Sequence, residues 1–510
     1  MSWSIVLPAL LQLGLSSALS IPHSLDLDSN QSPFQFDAPN PADLPHANPT
    51  HSFWTHSPGA NPLAGEGSTG PLTGQADVCI IGSGITGVSA AYHLANAVES
   101  GVFPSTESGK VSAVILEARD FCSGATGRNG GNLTPYAFGG FGKLQERFGT
   151  DAALRQFALE HYSATEMARI ARESGWADAV DLVEGGHVDI MLNDSDLAKA
   201  QADFFAAIFA GKDINATWFS QEDMNATYGT YNWGVRSPGY NLWPLKFVTQ
   251  LYKSTLGITP RLDLRLHTRT PVTAVSPLTA AASNRRWRLA TPRGAVLCST
   301  VLHATNGYAS HLLPQFAGPE NGITPVRGQV LAVRAETQLP VPSWSGNEGY
   351  WFPRPQTASE DAKPLVILGG KRSVAGPPYE MGVTDDGVLT ESVGAALRNF
   401  LPEMFPGLYK FGVEPEAEWT GIMGYTALEI PFVGPVLSNA TADLHDTTFK
   451  GQYISAGYHG HGMPRAFGCA EVVVRMIADE RAGWDSPSAL PEWFPQPFLT
   501  WVRDKKGPEA

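Results

Sequence analysis

Residues 76–95, ADVCIIGSGITGVSAAYHLA, place a hydrophobic run, a glycine-rich turn and an alanine-rich helical pattern in immediate succession. Val78 to Ile81 read as a buried parallel strand, and Ala90, Ala91, Leu94 and Ala95 recur at helical spacing after Gly87. Gly82 permits a tight turn, Gly84 lets backbone amides approach a phosphate, and Gly87 lets the helix pack close to the strand. Ile85 and Thr86 open the helix between them, and its amino end faces the anion. A glycine turn alone says little in a chain with 52 glycines. Strand, turn and helix in this order point to a dinucleotide held by a Rossmann-like α/β unit.

The chain has 510 residues, 43% of them hydrophobic, enough for a large core and two or three folding units. Its formal net charge is -14 and no Lys/Arg-rich run occurs, which argues against nucleic acid and for a small-molecule partner. Residues 1–20 carry an apolar stretch from Ile5 to Leu15 followed by small residues, with Ala18 and Ser20 placed for signal-peptide cleavage. An uncleaved hydrophobic tail or short anchor is the alternative, since the stretch has no Lys or Arg. No later segment reaches the roughly 18 apolar residues of a membrane span. N-x-S/T sites at Asn30, Asn132, Asn193, Asn215, Asn225 and Asn439 agree with a secreted or secretory-pathway glycoprotein. Asn132 follows a glycine-rich loop and is expected to be bare. Cys79 in the strand and Cys469 on a helix occupy positions where buried free thiols are common, and no disulfide framework is expected. Residues 21–75 lack apolar periodicity and read as a linker or surface arm, which SFWTHS (52–57) is placed to pin down.

A nucleotide site of this type wants an acidic residue at the end of the second strand to hold a ribose. Glu117, followed by Ala118 and Arg119, ends VSAVILEAR; residues 99–110 read as a loop inserted before it. Next comes FCSGATGRNGGN (121–132), a second glycine-rich loop bearing Ser123, Thr126, Arg128, Asn129, Gly130 and Gly131. Such a loop can bring amides and a guanidinium to a second stretch of phosphate and to an isoalloxazine ring, which FAD has and NAD lacks.

Together with HATNGYASHLLP and ITPVRGQV (303–330), WTGIMGYTALEIPFVGP and YISAGYHGHGM, these motifs resemble the FAD-dependent amine and amino-acid oxidoreductases. D-amino-acid dehydrogenase, sarcosine oxidase and, most similar, gamma-glutamylputrescine oxidase belong to that group. The resemblance implies a discontinuous fold. An FAD domain (76–150, 240–310, 412–485) is interrupted by a substrate domain on an antiparallel sheet (151–239, 311–411), with a tail over 486–510. HVDIML, GQVLAVRA (328–335) and PLVILGG (364–370) read as strands of the second domain, α+β in class. The resemblance also places Val272, Thr305, Gly307, Gly457, Gly460, Gly462 and Met463 at the cofactor. Ala466, Cys469, Ala470, Val473, Met476 and Ile477 recur at helical spacing, so a helix begins near Gly462 with its positive end toward the ring.

The chemistry so implied is oxidation of a CH–NH bond of a small amine or amino acid by hydride transfer to the flavin, with dioxygen or another acceptor reoxidising it. His459 and His461 are candidates to deprotonate an ammonium or to hydrogen-bond flavin or substrate; structural histidines are the plain alternative. Arg327 is a candidate for a substrate carboxylate or a flavin-side carbonyl. Lys371 is a candidate for oxygen activation, or is merely solvated. Tyr425, Trp419 and Trp243 are candidate pocket walls, with core packing the alternative for the tryptophans. Relatives with covalent flavin carry a cysteine near the stretch matching GIMGYT. Met423 stands there, which implies noncovalent FAD. No metal site is expected. A flavin dehydrogenase acting on a ring C–N or C–C bond, or a flavin-binding protein without turnover, are the competing readings.

Overall fold

Two eight-stranded sheets organise the chain. The computed structural model describes residues 40–503 apart from 105–108, 279–284, 338–341, 356–362, 440–443, 445 and 485–487. The expected signal peptide, the first part of the arm, Asn30 and the end of the tail lie outside the described residues.

The first sheet has the strand Gln75–Ile81 at its centre. Val111–Leu116 and then Leu262–His267 lie parallel on one side, and Gly294–His303 and then Gln452–Ala456 lie parallel on the other. Phe432–Pro435 closes that edge antiparallel, and the hairpin strands Ala274–Pro277 and Trp287–Thr291 extend from Gly294–His303. The glycine turn thus leaves the carboxyl end of a central strand where the order reverses, the position at which open α/β sheets bind ligands. Val78 and Ile80 pack beneath the helices Ile85–Glu99 and Met463–Arg481, while Cys79 and Ile81 face the opposite side with Val114, Leu116 and Trp287. That alternation is the two-residue period of a strand covered on both faces.

The second sheet runs Ala417–Tyr425, Thr324–Arg334, Leu365–Gly370, Gly349–Pro353, Ser343–Gly346, His187–Met191, Trp233–Ser237, Thr217–Phe219. It is antiparallel except where Ser343–Gly346 lies parallel to His187–Met191. The strands expected in 187–192, 328–335 and 364–370 are all present. The 412–485 segment gives its first strand, Ala417–Tyr425, to this sheet and only then returns to the first one. One face of the second sheet packs Trp344 and Trp351 against Phe400 and Phe405; the other is turned to the glycine-rich loop.

One expectation is overturned: Cys79 is not a free thiol but is disulfide-bonded to Cys298, 219 residues away. Nothing in the spacing of these residues signals the pairing, because only the fold makes their two strands neighbours. Cys122 and Cys469 are free and buried. The arm does dock through 52–57: Ser52 Oγ donates to Gly127 O at 2.7 Å, and Trp54, 1% exposed, donates from Nε1 to Asn129 O at 2.5 Å. The tail docks too, with Thr500 N–H donating to Val433 O. No helix among the described residues is long and apolar enough to cross a membrane, and none of them gather three or more His, Cys, Asp or Glu as a metal site.

Candidate active site

The phosphate turn is held from three directions. Ser83 donates to Glu117 Oε2 from its amide (3.0 Å) and its hydroxyl (2.7 Å), and the Arg119 amide donates to Oε1 (2.9 Å). The Ile85 amide donates to Thr126 Oγ1 at 3.0 Å, joining the turn to the second glycine loop. Thr86 Oγ1 donates to Tyr458 Oη at 3.1 Å, joining it to the carboxyl-terminal element. A Cβ on Gly87 would sit 1.9 Å from Gly82 O, so helix and strand approach as closely as the sequence implies. Gly84 caps the helix without any side-chain cap bond, leaving an amino terminus suited to an anion.

Whether these residues suit FAD is tested by their unpaired atoms. Ser123 Oγ, Arg128 Nη1 and Thr305 Oγ1 are buried without a hydrogen-bond partner among the described residues. A buried polar atom left unpaired costs about 1–3 kcal/mol. Three such atoms lie on residues expected at the cofactor, and polar atoms without a protein partner are what a site for a polar ligand supplies. Glu117 retains lone-pair capacity for ribose hydroxyls. The residues present fit FAD.

Arg128 serves the protein more than the loop reading implied. Its Nε donates to Thr420 O (2.6 Å), its Nη2 to Thr50, and Asp386 lies 3.4 Å from Nε. Asp386 is also paired with Arg119 (2.8 and 3.0 Å). Burial pulls the Arg128 guanidinium down to about 10 against the pull of Asp386. Only Nη1 is left for a ligand.

The second sheet turns one face, the cleft side, to these loops, and there the Gly130 backbone runs against the Tyr350 ring, with no room for a Cβ. Asn306 Oδ1 accepts from the Gly457 amide at 3.0 Å, and the His459 amide donates to Gly424 O at 2.8 Å. These bonds bring Thr305, Gly307, Gly457 and Gly460 beside the strand end that carries Met423 and Tyr425. The helix Met463–Arg481 starts at its N-cap, Gly462. Met463 is buried, Ala118 is half-buried, and Val272 packs into the core on the far face of the first sheet.

The two histidines have different surroundings. His459 lies against Tyr425 with ring centroids 4.1 Å apart and planes tilted by 32°, and its Nδ1 accepts from the Thr426 amide (3.3 Å), so the neutral ring carries its proton on Nε2. Burial lowers its pKa to about 4, outweighing the opposing pull of Glu429. His461 lies parallel to Tyr136 at 4.1 Å, and its Nε2 meets Glu160 Oε2 at 3.1 Å. Glu160, 2% exposed, also accepts from Arg465 Nε (2.8 Å) and the Tyr136 amide (2.9 Å). Burial works to raise its pKa, but His461 and Arg465 outweigh that and hold it at about 2. With Nε2–H given to Glu160, a neutral His461 offers the lone pair of Nδ1.

The other candidates separate. Arg327 binds Glu380 (2.5 Å), Asp385 O (3.0 Å) and Thr390 Oγ1 (3.1 Å), so its fork is engaged within the protein. The Lys371 ammonium lies over Phe400, on the face of the sheet away from the cleft. Its neighbour Arg372 lies over the Tyr425 ring at 5.3 Å and is the cation beside this group. Trp243 packs on Trp54, and Trp419 donates to Arg128 O at 2.7 Å; both are core residues. Sequence reasoning missed Glu160, Tyr136, Tyr350, Arg372 and Arg465. For Glu160 a signal existed: it falls with Ala153, Phe157, Ala164 and Met167 on the apolar side of the helix Thr150–Glu173.

Comparison with known proteins agrees with this geometry. A probable oxidoreductase, OrdL, of Rhizobium meliloti (strain 1021) is 22% identical over 414 residues, 80% of this chain and 84% of that protein. The gamma-glutamylputrescine oxidoreductase of Escherichia coli (strain K12) is 32% identical over 122 residues, 24% of this chain and 25% of that one. The crystal structure of glycine oxidase from Geobacillus kaustophilus superposes with a TM-score of 0.59 at 16% identity, covering 83% of this chain and 99% of that one. The family described as FAD dependent oxidoreductase matches residues 77–476. With its phosphate turn, ribose-side carboxylate and second glycine loop assembled as that cofactor requires, the chain belongs to the FAD dependent oxidoreductase family.

Proposed function

We propose that this enzyme oxidises the CH–NH bond of a small amine or amino acid, with FAD bound noncovalently and dioxygen as the electron acceptor. The observation that carries the reading is the Glu160–His461 pair stacked on Tyr136 beside the Tyr425–His459 pair. FAD, when bound, supplies a hydride acceptor. An ammonium must first lose a proton, because the lone pair of a neutral amine is what lets hydride leave the carbon. His461 takes that proton at Nδ1, and Glu160 is the positioning residue that fixes its tautomer. His459, kept neutral by burial, donates from Nε2 to an acceptor on substrate or cofactor. Tyr136, Tyr350 and Tyr425 offer aromatic faces that favour a cationic ligand. Arg372 stands where an anionic end of a substrate would be met.

The reading also draws on the printed names of two similar proteins, a glycine oxidase and a gamma-glutamylputrescine oxidoreductase. Met423 in place of a cysteine supports a noncovalent flavin. A secretory route is part of the proposal, supported by the apolar segment near residue 1, exposed Asn193, Asn215 and Asn225, and the disulfide, which suits an oxidising compartment. The test is anaerobic mixing of the flavin-loaded protein with a panel of amines and amino acids. The expected result is loss of the oxidised flavin absorbance with at least one of them, and peroxide release once air is admitted. Flavin reduced by dithionite but by no member of the panel overturns the reading; reduction without peroxide overturns dioxygen as acceptor.

A further inference from the structure

A polar network on the second sheet takes no part in the chemistry described above. His187 is buried, with Nδ1 2.8 Å from Ser343 Oγ and Nε2 3.2 Å from Asp189 Oδ1 and 3.1 Å from Ser345 Oγ. Ser345 Oγ also donates to Asp189 Oδ1. Both side-chain bonds to this carboxylate fall on one oxygen. Among the described residues, Oδ2 has no hydrogen-bond partner and His187 is the only basic group at ion-pair distance. The Asp189 side chain is 47% exposed, whereas that of His187 is 9% exposed.

The register shows where that open oxygen is placed. Asp189, Ser345, Tyr350, Gly369, Val330 and Trp419 are consecutive cross-strand partners and form one row across the sheet. Residues directly opposite one another project to the same face. This is the cleft face, because Trp419 bonds to the second glycine loop and Tyr350 packs on Gly130 of that loop. Two strand spacings, about 10 Å, separate Asp189 from Tyr350 along the row. The Tyr350 ring leans over Gly369, away from Ser345 and Asp189, so it does not cover the carboxylate. Burial works against ionisation of Asp189, but His187 and the hydrogen bonds from His187 and Ser345 outweigh it and hold the carboxyl below its ordinary value. Asp189 is therefore negative at neutral pH.

We propose that Asp189 is a specificity anchor that binds a second positive charge on the substrate, so that the preferred substrates are diamines or basic amino acids whose distal ammonium reaches Oδ2. This rests on the CH–NH reading above and adds the substrate class. His187 and Ser345 are positioning residues that hold the carboxylate through Oδ1 and leave Oδ2 free. A flexible ammonium-bearing chain would run from the Tyr136–Tyr425 walls along the row to the carboxylate.

The experiment compares matched series of α,ω-diamines and n-alkylamines of increasing chain length, read as anaerobic flavin reduction and as kcat/KM, in the flavin-loaded protein and its Asp189→Asn variant. The proposal predicts a diamine-to-monoamine ratio of about ten or more in the unmodified enzyme, as a charge-assisted hydrogen bond gives. It predicts that the ratio falls about tenfold in Asp189→Asn, through KM of the diamine. A general loss of folding or flavin would lower both series together and leave the ratio unchanged, and an unchanged ratio overturns the anchor. So does a ratio near one in the unmodified enzyme. Monoamines that bleach the flavin while the ratio stays flat reject the anchor alone; silence of both series and of matched basic and neutral amino acids, with dithionite still reducing the flavin, rejects the CH–NH reading and the anchor with it.

Discussion

Replacing Glu160 by Gln tests the electrostatic centre of the site. The side chain is 2% exposed and meets Arg465, His461 and the Tyr136 amide. Gln keeps the volume but removes the charge that balances the buried Arg465. A carboxyl held at about 2, against 4.5 when unperturbed, corresponds to roughly 3 kcal/mol of stability. Breaking a buried ion pair from one side costs about 3–5 kcal/mol, so two independent routes agree on the scale. Because the folded-state pKa is lowered, this contribution is complete above pH 4.5 and is lost as pH falls toward 2. Denaturation of the flavin-saturated protein should therefore show Glu160→Gln less stable by about 3 kcal/mol at pH 7, with the gap closing in acid. In flavin reduction, the variant should shift the pH profile of kcat/KM, since His461 loses the partner that fixes its tautomer. Stability within about 0.5 kcal/mol of the parent at pH 7, the range of an ordinary surface change, would refute the reasoning.

Gly87→Ala should abolish flavin retention or folding, because the added carbon would lie 1.9 Å from a backbone oxygen; a soluble variant with full flavin content contradicts this packing. Asp386→Asn leaves two buried guanidinium groups without their shared carboxylate and should cost about 3–5 kcal/mol. The same change should speed proteolysis within residues 40–57, because Thr50 is held by Arg128, one of the guanidinium groups that pairs with the Asp386 carboxylate, and digestion at the parental rate would count against it. Arg372→Met should weaken reduction by carboxylate-bearing substrates by about tenfold or more, while Lys371→Met should change it by less than about twofold. The reverse ordering in steady-state kinetics would show that the wrong cation has been placed at the cleft.

The cofactor half of this molecule is legible in its sequence because the signals are local. A run from Val78 to Ile81, three glycines and an apolar helical stripe lie within twenty residues, and each has a physical requirement behind it. Glu117 is readable as the residue at a strand end, and the helix start at Gly462 from apolar spacing alone. The substrate side is less legible. Whether Lys371 or Arg372 faces the cleft depends on a backbone turn in which Lys371 adopts φ +58°, and GGKR does not announce it. Arg327 looks free until Glu380, Asp385 and Thr390 are folded onto it. The Cys79–Cys298 bond joins segments too far apart in sequence to be paired by inspection. His187 and Asp189 alternate with Val188 and Ile190 in HVDIML, so the polar face of that strand is visible, but its strand partners are not.

The central claim is that separate stretches of chain, from the glycine turn to the Gly462 helix, converge to hold one FAD without a covalent bond. An absorption spectrum of the protein purified from a flavin-replete host, repeated after acid precipitation, measures this directly. The account predicts a yellow protein whose colour passes wholly to the supernatant as FAD. A colourless protein that takes up no FAD on incubation would contradict the fold-based assignment of the site, and a pellet that stays yellow would contradict the noncovalent attachment.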